Sequence, residues 1–203
     1  MKRRVAAADG LDPDQIKARL GTKRVGREVL VYRQTASTND VAAEYAKNAG
    51  NDGMAGFAEE QTAGRGRGGN KWLAGYGESL LCSVILLDCG VGSELLSLMC
   101  AVTVAETIGG EAKIKWPNDV FVNGRKIAGI LLEAKPTGSG IAHIVGVGIN
   151  CHQKGDSFPA ELMGAATSLD IENGGVCDRI LVARRLLVSL ENWLDVAERD
   201  AGA

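Results

Sequence analysis

Residues 64–72 read Gly-Arg-Gly-Arg-Gly-Gly-Asn-Lys-Trp, four glycines and two arginines packed into six positions ahead of Lys71-Trp72. Glycines let backbone amides come close to a ligand and let a loop adopt positive φ at no steric cost. Arginines contribute permanently charged planar forks that suit phosphate or carboxylate. The combination is that of a mobile loop folding over an anion. Gly64, Gly66 and Gly69 also satisfy the G-x-G-x-x-G spacing of a dinucleotide site, but that site requires a helix to begin inside the motif. Residues 70–77 carry two further glycines and no helical period, and no Gly-Lys-Ser/Thr follows, so neither nucleotide-fold reading is supported. An RGG-type RNA contact belongs to long disordered tracts, and this is a single unit. A glycine turn with two solvated arginines remains open on these residues alone.

Three later segments carry further polar chemistry. Lys115-Trp116-Pro117-Asn118-Asp119 forces extended backbone at Trp116 and sets two polar side chains at the start of a strand. Lys126 follows the Asn123-Gly124 turn and leads into Ile127-Ala128-Gly129, whose glycine admits close approach by another group. Gly146-Val147-Gly148-Ile149-Asn150 ends another strand with two glycines and an amide.

These residues must be positioned by regular elements, and the chain supplies them. Residues 12–20 read as a short helix with Asp12 as cap and Pro13 in its first turn. Residues 28–33 and 54–61 read as strands, and 35–50 as a helix capped by Ser37 or Thr38 and stopped by Gly50. Residues 79–87 are almost uniformly apolar, as in a strand buried on both faces. A helix over 93–109, capped by Ser93, is apolar on most sides, Leu95 and Leu98 included. Asn123-Gly124 between β-branched runs signals a hairpin across 113–134. Gly138-Ser139-Gly140 turns into a strand over 141–149. After a loop-rich stretch, 177–200 is an amphipathic helix with Ile180, Ala183, Leu187, Leu190, Leu194 and Ala197 on one face. Strands in hairpin succession with interspersed helices predict an α+β fold: a mixed, largely antiparallel sheet with helices packed on one face.

Composition narrows the function classes. The 203 residues suit one core, and 45% hydrophobic with 24% charged residues is ordinary for a globular domain. A net charge of −2 argues against a general nucleic-acid binder. Five cysteines without C-x-x-C spacing read as reduced thiols in a cytoplasmic protein, and two histidines make a histidine-based zinc site an unfavoured expectation. The apolar stretch after Met1-Lys-Arg-Arg is too short for a signal peptide, and nothing approaches a membrane span.

Taken together, Ser37-Thr38-Asn39, the glycine-arginine loop with Lys71-Trp72, Lys115 to Asp119, Arg125 to Glu133, Gly146 to Asn150 and Ala166 to Leu169 resemble the catalytic domain of biotin protein ligases, in family order and with family-like spacing. The fold implied is that of the class II aminoacyl-tRNA synthetases and biotin/lipoate ligases, over residues 28–203 after a leader of 1–27. The resemblance implies activation of biotin with ATP to biotinyl-5′-adenylate, then transfer to one lysine of a biotin carboxyl carrier domain. It places Ser37, Thr38, Asn39 and Gln61 around biotin and Arg65, Gly66 and Arg67 in the loop that closes over it. It sets Lys126 against carboxylate and phosphate, with Lys126, Arg65 and Arg67 as the catalytic cations. Trp72 falls near the adenine, and Asn118 and Asn150 near the nucleotide and its Mg²⁺. A homodimer through sheet edges is compatible with the family.

The chain departs from the family pattern in having Ala74-Gly75 where a Ser-Pro pair is common, and Gly68 in place of a third basic residue. No helix-turn-helix signal precedes Val29, and no SH3-like segment follows the last helix. Rival readings are a lipoate- or octanoate-protein ligase on the same architecture and a non-catalytic biotin-binding module.

Overall fold

A computed structural model of the chain describes residues 10–138 and 140–201. The basic N-terminal residues of the expected leader, Ser139 of the expected turn and the last two residues lie outside the described part. Seven strands form one sheet in the order β1-β2-β3-β7-β6-β5-β4. They are β1 (Val29–Tyr32), β2 (Ala55–Ala58), β3 (Ser79–Leu87), β4 (Lys113–Lys115), β5 (Asp119–Val122), β6 (Arg125–Thr137) and β7 (Gly140–Asn150). Among these seven strands only β1 and β2 pair in parallel, and the other strand pairings are antiparallel. The expected mixed, largely antiparallel α+β sheet is therefore present. Asn123 and Gly124 both take positive φ, 50° and 76°, as the two-residue β5–β6 turn requires.

β3 is buried along all nine residues because it is covered on both faces. Leu80, Cys82, Val84 and Leu86 point into the main core, with α1 (Pro13–Lys17), α3 (Ser93–Ile108) and α5 (Arg179–Ala201) packed on that side. Ile85 and Leu87 point the other way, toward Ala42 of α2 (Thr38–Tyr45) and Ala46, its C-cap. The one-face expectation describes α1, α3 and α5, whereas α2 lies on the opposite face. The reason is local: Ala42 is the one fully buried apolar residue of α2, which sets its N-terminal polar residues Thr38 and Asn39 against the sheet.

Several boundaries shift for identifiable reasons. Gly92, rather than Ser93, is the cap position of α3, and Ser93 Oγ lies 3.4 Å from His143 Nε2. Leu95 and Leu98 are exposed, so α3 buries one side only, through Leu96, Met99, Cys100 and Val104. The helix expected over 35–50 ends at Tyr45, and Asn48 caps a separate 3-10 turn. α5 starts at Arg179 because Asp178 Oδ1 accepts from the amides of Ile180 and Leu181.

Two buried acids tie the segment before β1 to the body. Glu191 on α5 accepts from the backbone amides of Lys23, Arg24 and Val25. Glu59, just past β2, accepts from Leu11 N and pairs with Arg179 at 2.7 Å. Arg179 is fully buried and Glu59 nearly so. Leu11, Ile16 and Val25 are correspondingly part of the core.

Candidate active site

The sheet face opposite α3 and α5 carries a cavity of about 290 Å³ between the N-terminus of α2, the glycine-arginine loop and the middle of β6 and β7. Its floor is made by glycines. A Cβ on Gly148 would sit 2.5 Å from the indole of Trp72, one on Gly129 3.0 Å from it, and one on Gly146 would collide with the Asn39 amide. Three bare positions on two strands therefore let an indole lie against the sheet and an amide reach over it. Trp72 Nε1 is buried with no hydrogen-bond partner among the described residues. A buried N–H without an acceptor is costly, which marks the place where a ligand acceptor belongs.

The glycine-arginine loop is a short hairpin over this floor. Gly66 N donates to Asn70 O at 2.7 Å and Trp72 N to Gly64 O at 3.0 Å, and Gly68 and Gly69 turn the chain at φ 67° and 82°. Where the sequence suggested only mobility, these bonds give the loop a defined shape. Arg65 grips Asp40 of α2 with two bonds of 2.7 and 2.8 Å and reaches Glu133 at 3.4 Å. The bonds from Arg65 hold the Asp40 carboxyl below its usual range, and the same carboxylates raise the Arg65 guanidinium. Burial works to raise Glu133, but hydrogen bonds from Asn39 and Lys135, with the charges of Lys135 and Arg65, outweigh it and lower its pKa. Arg67 makes no side-chain ion pair among the described residues and lines the cavity.

At the opposite wall Lys126 enters through an irregularity in the sheet. β5 and β6 pair Val120 with Ala128 but Phe121 with Lys126, so Ile127 is an extra residue, a β-bulge. Ile127, Ala128 and Ile130 all belong to the main core, while Gly129 and Leu131 face the cavity. Strict alternation would have put Ile127 on the cavity side; the bulge gives that place to Lys126. Its backbone is clamped by Lys126 N to Ala165 O and Thr167 N to Lys126 O, both 2.8 Å. Its ammonium is 2.6 Å from Asp119 and 5.9 Å from the Trp72 ring centre.

The polar end is a closed network. Gln61 Oε1 accepts from Thr38 N at 2.7 Å and Thr38 Oγ1 at 3.1 Å, capping α2 in place of Ser37, whose side chain makes no capping bond. Ser83 Oγ–H is shared between Thr38 Oγ1 and Asn39 Oδ1, at 2.7 and 2.6 Å. Asn39 Nδ2 donates to Glu133 at 2.6 Å.

Against this geometry, comparison with known proteins is informative. The model of the biotin/lipoate A/B protein ligase family matches residues 30–150, more than half of the chain. The chain belongs to that family. Among its ligase relatives, the bifunctional ligase/repressor BirA of Bacillus spizizenii is 36% identical over 188 residues, covering 89% of this chain and 58% of the relative. The biotin–[acetyl-CoA-carboxylase] ligase of Mycobacterium tuberculosis is 38% identical over 177 residues, 81% and 63% of the two chains. This chain thus spans about three fifths of the length of these relatives. The biotin protein ligase of Aquifex aeolicus, solved in complex with biotin and ATP, superposes with a TM-score of 0.75 at 29% identity, over 85% of this chain and 72% of that one.

In this ligase-family chain Ser37, Thr38, Asn39, Gln61, Arg65, Gly66, Arg67, Trp72, Asn118 and Lys126 all border the one cavity. Asn150 does not border it. Asn150 is buried with Nδ2 donating to Thr167 O and Oδ1 accepting from Gln153. Ser83, Asp40 and Glu133 escaped the sequence reading. A hydroxyl in the middle of a strand that is apolar elsewhere after its first residue, Ser79, was the available signal for Ser83; Asp40 offered none beyond its charge, and Glu133 closes the Arg125–Glu133 run without a role of its own there.

Proposed function

We propose that this domain activates biotin with ATP to biotinyl-5′-adenylate and pyrophosphate, then passes biotin to a lysine of a biotin carboxyl carrier domain. The observation that carries the reading is the presence, around one cavity, of a closed polar network together with three cations, Arg65, Arg67 and Lys126. The Thr38, Asn39, Gln61 and Ser83 cluster suits the ureido ring, which has both donors and an acceptor to exchange with it. A lipoyl or octanoyl tail has no donors or acceptors to exchange with this network. This favours biotin over the lipoate branch of the family.

Arg65, Arg67 and Lys126 meet the second requirement. A carboxylate and a triphosphate repel each other, and preorganised cations in a site shielded from water lower the barrier as charge shifts between them. In the resting arrangement Asp40, Glu133 and Asp119 hold Arg65 and Lys126 in place. The attacking amine comes from the acceptor lysine, so no protein nucleophile is needed. We assign adenine to the side of Trp72, whose unpartnered N–H fits a ligand acceptor. Mg²⁺, with the nucleotide, would neutralise phosphate charge. It prefers hard oxygen donors, and Asn118 and Asp119 present these at the cavity. Asn150 fits a supporting role, holding the 165–167 segment that clamps Lys126. We take residues 28–203 as the catalytic unit and 1–27 as its N-terminal leader. Among the described residues no helix is long and apolar enough to cross a membrane, and a cytoplasmic setting with reduced thiols agrees with the proposal.

The test is biotin-dependent ATP–pyrophosphate exchange with lipoate in competition, followed by transfer of labelled biotin to a carrier domain. Exchange that depends on lipoate alone would overturn the substrate. Tight biotin binding with neither exchange nor transfer would establish a sensor instead. Lys126→Ala should slow adenylate formation by at least about a hundredfold.

A further inference from the structure

Outside the cavity, His152, Asp170 and Cys177 bring three metal-ligating atoms within 4.8 Å of one another. They come from different parts of the chain: the exit of β7, the first turn of α4 (Leu169–Asn173) and the residues entering α5. His152 Nδ1 lies 2.9 Å from Asp170 Oδ2 and 3.9 Å from Cys177 Sγ. The other carboxylate oxygen, Asp170 Oδ1, accepts from Cys177 N at 2.8 Å, which turns Oδ2 toward the imidazole. All three residues are partly buried, in reach of water.

The geometry excludes a relay of the Cys-His-Asp kind. In such a relay the imidazole uses one nitrogen for the nucleophile and the other for the carboxylate. Here the same nitrogen, Nδ1, faces both thiol and carboxylate, so the three groups converge on one point. A proton on Nδ1 satisfies only the carboxylate; a cation at that point satisfies all three. For a tetrahedral zinc with ordinary bond lengths the N···O separation is about 3.3 Å and the N···S separation about 3.6 Å. The observed 2.9 and 3.9 Å bracket these within half an ångström.

We propose that His152 Nδ1, an oxygen of Asp170 and Cys177 Sγ form a site for a zinc-class divalent cation, linking the end of β7 and α4 to the start of α5. Binding requires Cys177 to lose its thiol proton to solvent and His152 to carry its ring proton on Nε2. Thiolate, carboxylate and neutral imidazole then balance the two positive charges. Because the thiolate and not the thiol is the ligand, affinity falls as pH is lowered. The fourth position is left to water. The ion would be a clasp rather than a reaction centre, because the neighbouring segment that holds Lys126 runs directly into Asp170 through Thr167 and Ser168.

The experiment uses the full chain, stripped with chelator and titrated with Zn²⁺ or Co²⁺; its readouts are bound metal, the cobalt spectrum and thermal stability, none of which depends on ligase activity. The expected result is about one ion per chain, a sulfur-to-cobalt charge-transfer band and a raised melting temperature. Cys177→Ser should abolish the band, and Asp170→Asn or His152→Gln should weaken binding at least about tenfold. Cys89→Ser should change nothing, although Cys89 Sγ lies 3.7 Å from the Nδ1 of the other histidine, His143, because among the described residues no carboxylate completes that pair. Negligible metal uptake by the parent overturns the site, as does a charge-transfer band that survives Cys177→Ser. Should Cys177→Ser unfold, parent stoichiometry and the Asp170→Asn titration decide the matter.

Discussion

Gly148→Ala is the sharpest probe of the candidate site, because it adds one methyl group at a point where the consequence can be calculated. Gly148 lies in β7 without positive φ, so alanine imposes no backbone strain. Its Cβ would stand 2.5, 2.7 and 3.0 Å from three atoms of the Trp72 indole, against ordinary contacts of 3.4–4 Å. The ring must therefore lift off the sheet by about 1 Å, an overpacking that costs about 1–3 kcal/mol. The lift moves the surface assigned to adenine and the Lys126 ammonium that lies over the indole. A displacement of ~1 Å in a positioning group lowers rate by as much as ~10²-fold. The expected outcome is a kcat/KM for ATP in pyrophosphate exchange down by one to two orders of magnitude, with biotin affinity within a few-fold of the parent. Gly56→Ala on β2 is the control, since its Cβ would meet nothing nearer than 3.9 Å. Gly146→Ala should instead displace Asn39 and weaken biotin binding more than ATP binding. Exchange kinetics for Gly148→Ala within about threefold of the parent would show that the indole does not position the nucleotide.

Three further expectations rest on separate parts of the molecule. Ser83→Ala removes the hydroxyl shared by Thr38 and Asn39; at about 1–3 kcal/mol for a buried partner left unsatisfied, the biotin KM should rise about tenfold or more with the fold intact, measured by exchange and circular dichroism. Arg179→Leu leaves Glu59 buried without its cation and should cost about 3–5 kcal/mol in denaturant unfolding, whereas replacing both, Glu59→Leu with Arg179→Leu, should recover much of that loss. Acidification should release the loop from α2: Asp40 and Glu133 have folded-state pKa values below their ordinary ones. Their contribution is present above the usual carboxylate range and lost as pH falls through the lowered values. Protection from hydrogen exchange at Gly66 and Trp72, taken relative to the intrinsic rate at each pH, should fall over that acid window, and Asp40→Asn should produce the same loss of protection at neutral pH.

Much of the site was legible because its chemistry is local in sequence. Glycines, arginines and a Lys-Trp-Pro-Asn-Asp run in fixed succession mark a candidate ligand loop and a strand entry without coordinates. Elements with strong periodicity or turn chemistry, such as β3, α5 and the Asn123-Gly124 turn, also follow from residue types alone, since burial on both faces, on one stripe, or at positive φ each leaves its own pattern. What the sequence by itself could not contain are relations across long separations. Ser37, one of the two cap candidates with Thr38, holds the N-cap position of α2, but the capping bonds come from Gln61, 23 residues away. The bulge at Ile127 turns Lys126 toward the cavity, because β6 must keep Ile127, Ala128 and Ile130 in the core while pairing with β5. Asn150, a natural candidate at a strand end, is turned inward onto Thr167 and Gln153 by the segment that returns past β7. The glycines of β6 and β7 have their meaning only once Trp72, carried in by the hairpin, lies across them. Residue type determined which groups were available; sheet register and packing decided which of them share a cavity, because side-chain direction is set by neighbours far along the chain.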